Sequence, residues 1–345
     1  MKTGVLLILL FIAQNAFAQG VTPGDWGLKE FHIENERLGD IYFYVTEEGI
    51  DREKPLLFMV IGCGGLPTMI VAQSGEESLK IGTMPPDWIT NFSHRFHVAS
   101  VGRPGTPFCD TVQVEEINPL EILENYQPSE EYTRKCGMEW QVQASSIVLD
   151  SLCGMLSVSG DKIVALGASE GGRIGPRLAV ENKKITHLVC MISGGLNQFY
   201  SSIINNRIDA ASGAITHREA QAAVDSLFDI YRQIYSDPDN TEKTWYGHPY
   251  RRWASFCTDI PLEHLVRLQI PIFCLSASAD RNAPILQADY VMLEFLRLGK
   301  TNLTYRVLTG CEHWLNEVVV EDGEEKHISR RDEAFEMVAD WIMSN

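Results

Sequence analysis

Several common sequence features are absent from this chain of 345 residues, and each absence disfavours a class of function. The chain has 29 lysines and arginines against 46 acidic residues, which gives a formal net charge of −17. No basic stretch is interleaved with aromatic residues, so we expect no nucleic-acid partner. The sequence holds no Cys-x-x-Cys pair and no His-x-x-x-His spacing, and it therefore predicts no metal site. It also contains no internal repeat and no low-complexity tract.

Long apolar runs are missing as well, because no stretch approaches the roughly 20 residues needed to cross a bilayer. The amino-terminal residues nevertheless stand apart from the rest. Lys2 precedes a short apolar run at 5–12, and Ala16-Phe17-Ala18 matches an A-x-A cleavage site. We expect residues 1–18 to be a signal peptide of a secreted or periplasmic protein with no membrane contact after cleavage. Residues 19–345 are then enough for one large domain.

Eight cysteines allow many disulfide pairings in an oxidising compartment, and the sequence alone does not decide among them. Cys109 and Cys136 flank a long irregular stretch, and they form the pair that we expect. Cys190 and Cys274 lie within apolar runs and are predicted to be buried thiols.

Strand and helix patterns alternate along most of the chain. Strand patterns occur at 55–61, 96–101, 162–166, 186–192, 270–275 and 303–308, and those at 55–61 and 186–192 are typical of buried strands. Helical patterns lie at 87–94, 138–156, 171–181, 284–298 and 331–343. Two partly alternating runs at 26–33 and 40–46 predict an antiparallel edge hairpin. Together they predict an α/β fold with a mostly parallel, doubly wound sheet, whose strand carboxyl ends carry the active site.

Two long segments interrupt this alternation. Residues 102–137 contain four prolines and are predicted to be a loop that covers a site. Residues from about 198 to 269 lie between two sheet strands and turn helical, with 218–235 as the clearest helix. We expect this second segment to be an inserted helical lid on the single domain.

A candidate nucleophile follows the strand at 162–166. The sequence there reads Gly167-Ala168-Ser169-Glu170-Gly171, followed by Gly172 and a helix. Gly-x-Ser-x-Gly between a strand and a helix predicts a nucleophile elbow, a sharp turn that holds the Ser169 hydroxyl clear of the sheet. The start of the next helix would direct N–H groups at a developing oxyanion. The alternative is an ordinary tight turn.

A serine hydroxyl needs a base, and the base needs an acid that orients it. In this architecture the chain order is serine, acid, histidine. Asp280 and His313 each follow a predicted strand, and they come in that order. Asp289 is the competing acid, but it lies inside a predicted helix and points elsewhere.

Two further sets of residues are candidates for the site. The loop Gly62-Cys63-Gly64-Gly65 follows a buried strand, and Cys63 or Gly64 would join Glu170 in supplying backbone N–H groups to an oxyanion hole. Arg103 follows the next strand and is a candidate for substrate binding. The inserted segment adds three more such candidates: Tyr246, Arg251 and Trp253. Alternatively, this aromatic cluster packs the lid onto the body of the domain.

On the motif 167–172, the glycine loop, Asp280 and His313, the mature chain resembles the α/β-hydrolase superfamily. Gly172 makes it similar to the dienelactone-hydrolase, acyl-thioesterase and prolyl-oligopeptidase branches. The resemblance implies acyl transfer to water without cofactor or metal, with Ser169 as nucleophile, His313 as base and Asp280 as orienting acid.

The leading functional hypothesis is hydrolysis of a small-molecule or carbohydrate-linked carboxylic ester. A peptidase or amidase is the first alternative, and it would need a charged anchor such as Arg103 or Arg251. An acyltransferase would use the same acyl-enzyme. An inactive hydrolase fold used for binding is the alternative of another class, and the complete set of serine, acid and histidine argues against it.

Overall fold

The predicted strands assemble into one eight-stranded sheet in the computed structural model, which describes residues 21–345 apart from 63, 85, 119–121, 123–125, 136 and 322–323. The predicted signal peptide, Cys63 and Cys136 lie outside the described residues. Among the described helices, none is long and apolar enough to cross a membrane.

The sheet is mostly parallel. Its strands are β1 (Leu28–Asn35), β2 (Gly39–Thr46), β3 (Lys54–Val60), β4 (His97–Val101), β5 (Val158–Ala168), β6 (His187–Met191), β7 (Ile272–Ala277) and β8 (Leu303–Leu308). They lie in the order β1-β2-β4-β3-β5-β6-β7-β8. β2 is antiparallel to β1 and β4, and all other neighbours in the sheet are parallel. The predicted fold class and the edge hairpin are thus confirmed.

Helices cover both faces of this sheet. The described helices are α1 (Pro86–Ser93), α2 (Glu130–Lys135), α3 (Met138–Met155), α4 (Gly171–Glu181), α5 (Phe199–Ser212), α6 (His217–Ser236), α7 (Tyr250–Thr258), α8 (Pro261–Leu265), α9 (Ile285–Arg297) and α10 (Arg331–Ser344).

Successive residues of a strand serve opposite faces, so the core has two layers. Leu57 and Met59 of β3 belong to the layer that holds α1 and α10. Leu56 and Phe58 belong to the layer that holds α3, α4 and α9. Every residue of β4 and β6 is buried, as expected for strands covered on both faces.

The segment inserted between β6 and β7 is helical, as predicted, and it carries an apolar cluster of its own. Phe199 of α5 stacks on Tyr231 of α6 with 3.8 Å between ring centroids, and Trp253 of α7 packs against Phe199 in the same apolar cluster. Thr216 caps α6 by accepting a hydrogen bond from the N–H of Glu219 at 3.2 Å. The insert therefore holds its own shape.

The structure corrects two expectations. The stretch 102–137, predicted to be a loop, contains α2 and the strand Cys109–Gln113. This strand joins Met69–Ser74 and Glu77–Gly82 in a three-stranded side sheet. Asp110, Thr111 and Gln113 of this strand are polar and none of its residues is buried, so it shows no apolar run. The expected pairing of Cys109 with Cys136 is also wrong, because Cys109 is a free thiol. Cys190 is the buried free thiol that was predicted, whereas Cys274 is a free thiol that is only partly buried.

Candidate active site

Ser169 lies on a strained turn between β5 and α4. Its φ angle is +54°, a left-handed value that costs a non-glycine residue roughly 1–2 kcal/mol. Close packing holds the turn: a Cβ atom at Gly167 would lie 2.2 Å from the Gly171 carbonyl oxygen, and one at Gly171 would lie 1.8 Å from the Val60 carbonyl oxygen. Only glycine fits at these two positions, and the turn therefore projects the serine above the sheet.

Hydrogen bonds join Ser169, His313 and Asp280 into one chain. Ser169 Oγ lies 3.0 Å from His313 Nε2, and His313 Nδ1 lies 2.7 Å from Asp280 Oδ2. Asp280 follows β7 and His313 follows β8, so neighbouring parallel strands bring them together. An acid at Nδ1 holds the proton on that nitrogen and leaves Nε2 free to accept the serine proton.

Asp280 is itself held in place by the backbone. Its Oδ1 atom accepts hydrogen bonds from the N–H groups of Asn282 at 2.7 Å and Ala283 at 2.9 Å. The competing acid, Asp289, accepts a hydrogen bond from the Tyr305 hydroxyl at 3.0 Å instead. The structure therefore brings Asp280, and not Asp289, to the histidine.

A cavity of about 100 Å³ opens beside Ser169 and His313. Its wall is mainly apolar and is contributed by residues after β3, in α1, and after β6: Ile61, Trp88 and Ile192, together with Met59, Leu166 and Leu315. Arg331 also reaches the wall, but its guanidinium lies 2.7 Å from Asp87 and is neutralised by it. The cavity suits an uncharged group.

The elbow meets the glycine loop at the Glu170 N–H group. Glu170 caps α4, and the first N–H groups of a helix have no partner within it. Gly62 lines the cavity, and a Cβ atom there would lie 3.3 Å from Glu170 N. Gly64 is not among the described residues that line the cavity, and Cys63 lies outside the described residues. The oxyanion hole, with Glu170 as one donor and Cys63 or Gly64 as the other, stays a prediction.

Arg103 lies behind the glycine loop rather than in the cavity. It is 4% exposed, and its guanidinium donates to the carbonyl oxygens of Ile61 at 2.7 Å, Gly62 at 2.6 Å and Gly64 at 2.9 Å. These three hydrogen bonds hold the backbone of the glycine loop in place. Arg103 is not among the described residues that line the cavity, and its binding of a substrate stays a prediction.

The three substrate-binding candidates of the insert also lie away from the described cavity lining. Tyr246 is 76% exposed, and Arg251 faces Asp239 at 3.6 Å. Trp253 is buried and donates from Nε1 to the Trp245 carbonyl oxygen at 2.7 Å. That they bind substrate stays a prediction, and the ring contacts of Trp253 with Phe199 and Trp245 lie within the insert itself.

The buried carboxylate of Glu170 belongs to a cluster of charged side chains. The sequence did not reveal this cluster. It pairs with Arg252 of α7 and lies 3.6 Å from Arg103. Burial raises the pKa of this carboxyl, but the charges of Arg252 and Arg103 outweigh burial and hold that pKa below its ordinary value. A one-residue step turns a helix by about 100°, so Arg252 points inward where Arg251 points outward.

Comparison of the sequence with models of known protein families gives no match, and comparison with curated proteins gives none either. Solved structures do match the fold. An α/β hydrolase, GrgF from Penicillium sp. sh18, superposes with a TM-score of 0.54 and 10% identity over 91% of this chain and 97% of that one. A bacterial membrane phospholipase A superposes with a TM-score of 0.51 and 14% identity over the full length of both chains.

A third similar structure belongs to a much longer protein. It is described as a dipeptidyl aminopeptidase IV from Bacteroides ovatus, and the TM-score is 0.53 with 10% identity. The match covers 92% of this chain but only 36% of that one. At such identities the similarities establish the fold alone.

Proposed function

Because the chain has the α/β-hydrolase fold, we propose that it is a serine hydrolase that cleaves carboxylic esters through an acyl-enzyme. The hydrogen-bonded chain from Ser169 through His313 to Asp280 carries this proposal. A serine on a strained turn, 3.0 Å from an imidazole that a buried acid orients, is arranged for nucleophilic attack.

The reaction follows from these positions. As Ser169 Oγ attacks the carbonyl carbon, its proton passes to His313 Nε2, and Asp280 stabilises the resulting imidazolium. The carbonyl oxygen becomes an oxyanion and accepts a hydrogen bond from the Glu170 N–H group. The alcohol leaves with the proton from His313, and the acyl group remains on Ser169. Water, deprotonated by His313, then attacks the acyl-enzyme and releases the acid.

The cavity supports an ester with a short apolar acyl group. A cavity of roughly 150 Å³ holds benzene, so about 100 Å³ accommodates an acyl chain of about four carbons. None of the described lining residues is acidic, and Arg331 is already paired. The lining therefore offers no unpaired charge for a peptide terminus. This absence favours the ester over the peptide alternative.

The test combines covalent labelling with turnover. A fluorophosphonate probe should label Ser169, as located by mass spectrometry, and p-nitrophenyl esters should be hydrolysed with an optimum near the butyrate. Ser169→Ala and His313→Ala should abolish turnover, whereas His327→Ala, on an exposed strand, should not. Folded protein that neither labels at Ser169 nor hydrolyses any ester would contradict the proposal, and faster cleavage of p-nitroanilides than of esters would favour an amidase.

A further inference from the structure

Three buried charged side chains meet directly behind the nucleophile elbow. Arg103, Glu170 and Arg252 are 4%, 6% and 4% exposed. Burying charges is costly unless they are paired with good geometry. They come from three separate parts of the chain: the segment after β4, the elbow and the insert. Because burying these charges is costly, we expect them to stabilise a part of the neighbouring site.

Arg103 ties the glycine loop to the elbow. Its guanidinium donates to three carbonyl oxygens of the loop, those of Ile61, Gly62 and Gly64, and the same side chain faces Glu170 Oε1 at 3.6 Å. Arg103 therefore holds both the glycine loop and Glu170, whose N–H group this loop approaches.

Arg252 ties the insert to the same point. Its guanidinium donates from Nη2 to Glu170 Oε2, and it lies over the rings of Trp253 at 4.5 Å and Phe256 at 4.8 Å. A second contact comes from the same part of the insert, because His248 packs against Gly64 so closely that a Cβ atom there would lie 2.7 Å from the imidazole. The insert thus fixes both the elbow and the loop.

We propose that Arg252 and Arg103 are positioning residues of the oxyanion hole, acting through the Glu170 carboxylate on the backbone N–H group of Glu170 and on the loop at 61–64. This inference rests on the proposed serine-hydrolase function. Donors must lie about 2.7–3.1 Å from the developing oxyanion, and a shift of about 1 Å can cost roughly a hundredfold in rate. The insert is therefore a part of the catalytic geometry and not only a cover.

The test compares Arg252→Met with Arg177→Met. Arg177 also pairs with carboxylates of the body and the insert, Glu139 and Asp259, but it contacts neither the elbow nor the glycine loop. Arg252→Met alone leaves the buried Glu170 carboxylate without its closest partner and can fold poorly for that reason. The double variant Glu170→Gln/Arg252→Met removes this carboxylate together with Arg252. Thermal unfolding identifies the folded variants.

Each folded variant is assayed with p-nitrophenyl butyrate and with its thionoester, in which sulfur replaces the carbonyl oxygen. Sulfur accepts hydrogen bonds weakly, so an oxyanion hole matters less for the thionoester. We expect Arg252→Met and the double variant to lose about 10–100-fold in kcat for the ester, with KM within about twofold of wild type. Their ester-to-thionoester rate ratio should fall, whereas Arg177→Met should keep the wild-type ratio.

An unchanged rate ratio in the folded Arg252 variants would overturn the inference, as would an equal fall in Arg177→Met. These outcomes differ from failure of the proposed function, in which the wild-type protein itself shows neither ester turnover nor labelling of Ser169.

Discussion

At the scale of single residues, Asp280 uses its two carboxylate oxygens for different partners. One accepts from His313, and the other accepts from two backbone N–H groups. Asn at this position would keep the shape but could present an N–H group to the imidazole and impose the wrong tautomer. We expect Asp280→Asn to lower kcat by about 10³–10⁴-fold with little change in fold. Asp289→Asn, measured in the same ester assay, should retain activity, and equal losses in both would contradict the assignment.

Ile192 is a β-branched residue in the left-handed region, with φ of +44°, and it forms part of the cavity wall. Ile192→Ala removes volume next to Ser169 and lowers the steric strain. We expect the acyl optimum to move toward chains longer than four carbons, measured over a series of p-nitrophenyl esters. The free energy of unfolding should fall by less than the roughly 2–5 kcal/mol usual for such a truncation.

Val189→Ala is the matched control for this change, because Val189 is buried in β6 and is not among the described lining residues. It should lower stability and leave the acyl optimum unchanged. A shift of the optimum in the control, or none in Ile192→Ala, would show that the cavity does not hold the acyl group.

His248 makes stability depend on pH. Burial, followed by the charge of Arg252, lowers its pKa from 6.5 to about 4. Between these values the unfolded chain binds a proton that the folded chain refuses, so stability rises with pH across this window. We expect the unfolding free energy to fall by an amount on the order of 3 kcal/mol from pH 6.5 to pH 4 on account of His248. His248→Gln should reduce this slope in urea titrations, whereas His327→Gln should preserve it.

At the scale of elements, the contact between α4 and β3 tolerates no side chain. A Cβ atom at Gly171 would lie 1.8 Å from the Val60 carbonyl oxygen, whereas one at Gly154 of α3 would meet nothing within 4 Å. Gly171→Ala should cost about 3 kcal/mol or more, because strand or helix must move. Gly154→Ala should gain up to about 1 kcal/mol from helix propensity. Urea unfolding of both variants checks the contrast, and similar stabilities would contradict it.

The strands that the sequence predicts well include those buried on both faces. The patterns at 96–101 and 186–192 correspond to His97–Val101 and His187–Met191, and every residue of these two strands is buried. The exposed hairpin formed by Asn316–Glu321 and Glu324–Ser329 was not predicted, because half-exposed strands mix polar and apolar residues without a clear period. Asp322-Gly323 between the two strands is a hairpin signal that could have revealed it.

The candidate site divides in the same way. Ser169, Asp280 and His313 could be predicted because each follows a strand and the architecture fixes their order along the chain. The cavity wall could not, because Trp88 and Ile192 come from elements far apart in the chain and meet only in the folded protein. Nor does sequence spacing reveal which of two adjacent arginines in α7 reaches Glu170.

At the scale of the whole molecule, the net charge of −17 should influence which esters reach the cavity. A strongly negative protein concentrates cations near its surface and repels anions, and salt screens this effect over a Debye length of about 10 Å at 0.1 M. Acetylcholine and its neutral isostere 3,3-dimethylbutyl acetate share an acyl group and shape, so they isolate the charge. Because both substrates carry the same acetyl group, the apolar wall of the cavity should bind that group equally well in each.

We expect kcat/KM for the cationic ester to fall several-fold between about 0.01 M and about 0.5 M salt, because the attraction is screened. The neutral isostere should change little over the same range, and its behaviour controls for effects of salt on the chemistry or the fold. Parallel changes for both substrates would mean that salt acts on the enzyme itself. A rise for the cationic ester would contradict the expectation that the negative net charge attracts it.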